Sequence, residues 1–190
     1  MTTAAERPDP EAILRDAGAL LADDHFVYIS GQHGSGWIDK DAVYVHTAST
    51  SALGALTAEA VRDEGVEIVC GPATGGLILA QWTAHHLGAL AVFGEHGEPA
   101  SHEHHADGTR PFVLKRGYDR LVAGRTVLVV DDVVNTGFSI RGTIEAVREH
   151  GGIVRTAAAV ANRGALRPEA NVVERLVCLA DIRLDSWPRE

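Results

Sequence analysis

The stretch VLVVDDVVNTGFSIRGTIEAV, residues 127–147, decides the fold. It opens on four apolar residues, Val127 to Val130, the continuous run expected of a parallel strand covered on both faces. Asp131 and Asp132 follow at the carboxyl end, where open α/β sheets bind ligands in a crevice. Next come Val133 and Val134, and then the tight turn Asn135, Thr136, Gly137, Phe138, Ser139, which opens a helix. Such a turn presents free backbone N–H groups, the positive end of a helix dipole and two hydroxyls, a combination suited to a phosphate monoester. The adjacent acids suit the hydroxyls of a neighbouring sugar. A Walker A loop is excluded, because the Gly-Lys-Ser/Thr ending is absent.

Outward from this stretch, short apolar runs alternate with helical ones: VEIVC, GGLILAQWTAHHLG, ALAVF, TVLVV, FSIRGTIEAVREHGG and IVRTAAAVAN. That order predicts an α/β fold, a mostly parallel sheet flanked by helices. Residues 1–8 read as a disordered N-terminus and residues 9–190 as a single domain, with a small helix and hairpin hood over about 9–45 and a core over about 46–190. In the hood, Asp9-Pro10 caps a helix through EAILRDAGALLADD, and residues 26–44 form a hairpin-like excursion around a glycine-rich turn. A further helix is expected from about Thr50 to Glu64. The polar segment GEHGEPASHEHHADGTR, residues 94–110, is longer than most connections and reads as a lid or disordered loop. Its His102, Glu103, His104 and His105 fit no fixed metal-ligand spacing and are expected to be solvated.

Composition narrows the partners. The 190 residues are 45% hydrophobic, enough for one core without disulfides or metals. Against 17 Lys and Arg stand 26 Asp and Glu, a net charge of -9 that repels polyanions, so no nucleic-acid or anionic membrane partner is expected and any anionic ligand must be held locally. No apolar run approaches the roughly 20 residues of a membrane span, and MTTAAERPDP has no signal-peptide core, so a cytoplasmic chain is expected. Cys70 and Cys178 lie in apolar runs and read as reduced, buried thiols.

Four apolar residues, an acid pair and then x-x-x-Thr-Gly-x-Ser resemble the phosphoribosyl-diphosphate (PRPP) signature of type I phosphoribosyltransferases. The resemblance implies that a nitrogen base displaces diphosphate from ribose C1, with Mg2+ on the diphosphate and ribose oxygens. It gives Asp131 and Asp132 the ribose hydroxyls and the metal complex, as the catalytic pair, and Val133 to Ser139 the rest of the PRPP site, with Thr136 to Ser139 on the 5-phosphate. CGPATGGLILAQ repeats the strand, turn, helix order, and in the family its Thr74, Gly75 and Gly76 match the loop that meets the diphosphate.

Two further stretches resemble the orotate branch of the family. FVYISGQHGSGWIDKD is similar to its amino-terminal segment, which implies base contacts at Ser30, Gly31, Trp37 and Lys40, with Asn135 beside them. AVANRGAL ends in Asn162-Arg163, resembling the pair that contacts orotate, and a guanidinium can grip a carboxylate or a pyrimidine carbonyl edge through two parallel hydrogen bonds. The later strand LVCLADI also fits the family pattern. Three positions depart from it. Ile29 stands where many orotate enzymes carry lysine, Asn135 replaces a usual threonine, and Gly94-Glu95 stands where a basic pair begins the lid. Lys115 and Arg116, the chain's only adjacent basic pair, are the candidate replacement on the diphosphate.

The implied function is transfer of a phosphoribosyl group to orotate by a homodimer. The alternatives are a purine-type base or a non-catalytic PRPP sensor acting on transcription or messages. A sensor needs a nucleic-acid surface, and the acidic balance offers no basic stripe.

Overall fold

The computed structural model describes residues 7–28, 31, 33–97, 111–163 and 173–188. In chain order they form α1 (Pro10–Asp16), β1 (Leu20–Val27), β2 (His33–Ile38), α2 (Lys40–Tyr44), α3 (Thr47–Ala60), a 3-10 turn (Arg62–Glu64), β3 (Ile68–Pro72), α4 (Gly75–Leu87) and β4 (Leu90–His96). Then follow β5 (Phe112–Val113), α5 (Tyr118–Val122), β6 (Val127–Val134), α6 (Phe138–Glu149), β7 (Thr156–Asn162), β8 (Arg175–Asp181) and β9 (Ser186–Trp187).

The main sheet has the strand order β5-β4-β3-β6-β7-β8. Every neighbouring pair in it is parallel except β4 with the edge strand β5. β6 shows why the apolar run was continuous. Leu128 and Val130 join the core on one face with Leu53 and Leu79, whereas Val127 and Val129 join the core on the other with Ile140 and Ile144. Consecutive residues of a strand point to opposite faces, and here neither face meets water. Each such side chain contributes about 1.5–3 kcal/mol by its burial.

The mainly parallel α/β architecture is as the sequence predicts, but several boundaries move. α1 stops at Asp16, because Gly18 adopts φ +70° and the N–H of Ala19 closes the helix on Leu14. LLADD therefore belongs to β1, which pairs antiparallel with β2 from Leu20↔Ile38 to Val27↔His33, with an irregularity between Ala22 and Phe26. β9 adds a third strand to this small sheet beside β2. α3 begins at Thr47 and gives way to the 3-10 turn, which Gly65 ends at φ +64°. β4 runs past Phe93 to His96, where β5 pairs with it.

β6 continues four residues beyond its apolar run, since its ladder with β7 extends to Val134↔Asn162. The acid pair thus lies inside the strand. Cys70 is buried, but Cys178 is only half-buried, and both are free. The His102–His105 cluster lies outside the described residues. Among the described residues no helix is long and apolar enough to cross a membrane.

Candidate active site

At the carboxyl ends of β3 and β6 a cleft of about 310 Å³ opens, lined among others by Trp37, Lys40, Thr74, Gly75, Asp131, Asp132, Asn135, Ser139 and Arg163. Asp131 and Asp132 are each only 7% exposed. Each carboxylate is tied to the backbone just after it: Asp131 Oδ1 accepts from the N–H of Asp132 at 2.9 Å, and Asp132 Oδ1 from that of Val133 at 2.6 Å. Burial, and then the Asp132 charge beside it, holds the Asp131 carboxyl well above the usual carboxylate range.

Asp132 is the hub of a network that the sequence analysis did not find. Its Oδ2 lies 3.4 Å from Lys40 Nζ and accepts from the Tyr44 hydroxyl at 3.3 Å. The same hydroxyl donates to the carbonyl of Gly75 at 2.8 Å, so one phenol spans the loop after β3 and the acid pair. Burial, and then the nearby Asp132 and Asp131, pushes the Tyr44 phenol far up, so it stays a donor. Gly75 is required here, because a Cβ on it would collide with Asp132 Oδ2. Gly76 does different work. It does not line the cleft, and a Cβ there would lie 2.5 Å from Pro72 and 2.7 Å from the Val130 carbonyl, so it lets α4 sit tightly on the sheet. The Ala73–Thr74 peptide bond is cis.

The turn after β6 enters α6 through a glycine. Gly137 takes φ +75°, a region open to glycine at little cost, and begins α6 without any side-chain cap. The N–H groups of the first turn are thus left for a ligand, except that the Phe138 N–H leans on Thr136 Oγ1 at 3.4 Å. Asn135 and Thr136 are exposed, whereas Val134 is buried and Phe138 packs toward Phe112.

Trp37 and Arg163 also line the cleft. The buried Nε of Arg163 has no hydrogen-bond partner among the described residues. Lys40, expected at the base, lines the cleft, with its Nζ 3.4 Å from Asp132 Oδ2 and 3.9 Å from Asp41 Oδ1. Gly31, at φ +79°, makes the hairpin turn by bonding back to Tyr28 and does not line the cleft. Ser30 lies outside the described residues. Lys115 and Arg116 are not in the lining either: both pair with Glu95, at 3.3 and 2.9 Å, and Arg116 lies over the Phe93 ring. These two cations hold the Glu95 carboxyl below its usual range.

The profile of the phosphoribosyl transferase domain matches residues 39–188. The chain is 35% identical over 181 residues to orotate phosphoribosyltransferase 2 of Mesorhizobium japonicum, covering 93% of this chain and 85% of that protein. It is also 35% identical over 185 residues to the orotate phosphoribosyltransferase of Brucella ovis, covering 96% and 88%. Among solved structures, that of orotate phosphoribosyltransferase from Aeropyrum pernix superposes with a TM-score of 0.72 at 28% identity, over 90% of this chain and 92% of that one.

Proposed function

The chain belongs to the phosphoribosyl transferase domain family, and from that membership we propose that it transfers the phosphoribosyl group of PRPP to orotate, giving orotidine 5-monophosphate and diphosphate. The observation that carries the reading is the meeting of Asp131, Asp132, Ser139 and Arg163 in one cleft. Asp131 and Asp132 accept the ribose hydroxyls. The uncapped first turn of α6 holds the 5-phosphate, and the loop at Thr74 and Gly75 receives the diphosphate. Arg163, its Nε unpartnered, takes the anionic edge of the base while Trp37 covers its face.

Two buried carboxylates are hard oxygen donors of the kind that hold magnesium when substrate phosphates and water complete its shell. Among the described residues no group of three or more ligating side chains converges, so the remaining oxygens would come from PRPP. Bound there, Mg2+ would neutralise charge on the departing diphosphate. The chain's own part is positioning and electrostatics. Asp132, fixed by Lys40 and Tyr44, holds the sugar in place, and both carboxylates face the positive charge that develops at C1 as diphosphate leaves. No side chain acts as nucleophile. Assembly as a homodimer is part of the same reading, and sedimentation in solution tests it.

Arg163→Ala tests the division of the cleft. It is expected to cost roughly 2 to 4 kcal/mol in kcat/KM for orotate, because a desolvated charge partner is removed, while PRPP affinity stays near the wild-type value. An equal loss for both ligands would make Arg163 a structural residue.

A further inference from the structure

We propose that Tyr28 is a positioning residue for Arg163 and so sets the affinity of the cleft for an anionic planar base; the proposal rests on the orotate reading above. The Arg163 guanidinium carbon lies 4.8 Å from the centre of the Tyr28 ring. Tyr28 in turn stacks on Trp37, with ring centres 5.9 Å apart and planes at 29°. Tyr28 does not line the cleft, whereas both of its neighbours do, so it reaches a substrate only through them.

The ring is itself fixed. Its hydroxyl donates to the Gly36 carbonyl at 2.7 Å, and it lies so close over β2 that a Cβ on Gly34 would collide with that hydroxyl. The glycines of HGSGWI, uninformative as a sequence pattern, are what let an aromatic ring lie flat on the strand. A guanidinium held by an aromatic face keeps its N–H donors free in its own plane. Nothing else among the described residues competes for the buried Nε of Arg163. The ring therefore orders the arginine without a carboxylate that would consume its charge, and two in-plane donors remain for a ligand with two parallel acceptors.

The test measures the KM for orotate and the Kd for PRPP in Tyr28→Leu, Tyr28→Phe, Arg163→Ala and the Tyr28→Leu/Arg163→Ala double variant. Tyr28→Leu is expected to raise the orotate KM about tenfold, the order of a partly desolvated cation–π contact, and to leave PRPP affinity unchanged. Tyr28→Phe keeps the ring and should restore most of the loss. In the Arg163→Ala background Tyr28→Leu should cost much less than in the wild type, since most of its effect passes through the arginine and only the remainder through Trp37. Tyr28→Met makes the same test if the leucine variant does not fold. Additive effects in the double variant, an equal loss of PRPP affinity, or an unchanged orotate KM beside an impaired Arg163→Ala would overturn this proposal alone. Absence of orotate turnover in the wild type would overturn the substrate reading and the proposal with it.

Discussion

Asp131 shows how burying a single carboxyl costs stability. Folding buries its carboxyl beside Asp132, so the native chain binds that proton more tightly than the unfolded chain does. Native stability therefore falls as pH rises from about 4, the unfolded value, through the raised native one. Asp131→Asn keeps the shape and removes the charge. Its melting temperature should exceed the wild type's by a few degrees at neutral pH, the gap should close as pH approaches about 4, and turnover should drop by ~100-fold or more. Melting curves that coincide at neutral pH would contradict the burial argument. At this scale the acid pair is legible because it directly follows an apolar run, whereas Trp37 and Arg163 are singled out only by the resemblance to the orotate branch. Tyr44 and Tyr28 are not legible. Tyr44 meets Asp132 across 88 positions of sequence, and Tyr28, just past β1, meets Arg163, just past β7, so neither contact leaves a local pattern.

Among the elements, β6 and α6 meet at the joint where the phosphate site is proposed. Gly137 occupies the left-handed region at φ +75°, where a β-branched residue is strained by about 1–2 kcal/mol or forces the turn to open. Gly137→Val is expected to weaken PRPP binding about tenfold or more while the helical circular dichroism is kept, and calorimetric titration reads the affinity directly. Unchanged affinity would remove the phosphate from this turn. The elements also show where sequence reading stops. The alternation of buried strands and helices was plain, because a doubly covered parallel strand must be apolar throughout. The end of α1 was not, because LLADD suits a helix as well as a strand and is decided by Gly18 and by distant pairing with β2. The length of β6 was hidden for the same reason, since its last four residues belong to the strand through their ladder with β7.

For the whole molecule, two helical layers seal the sheet and leave its chemistry at one rim. Burial pushes the thiol of Cys70, in the core, up to about 12 and that of Cys178, half-buried, to about 11. Thiolate is therefore scarce at mildly alkaline pH, and both cysteines should react with a disulfide reagent at least about 100-fold more slowly in the native chain than in denaturant, Cys178 first. Rapid labelling of Cys70 without denaturant would mean the core is looser than described. The acidic surface repels polyanions, yet the cleft gathers Lys40, Arg163 and the positive end of α6 where an anionic sugar and base would lie. The measurement that bears most directly on the account is diphosphate release from PRPP and Mg2+ with orotate, adenine, hypoxanthine or no base. The account predicts release with orotate, matched mole for mole by orotidine 5-monophosphate, and none above background with the purines. Release with a purine and none with orotate would contradict it.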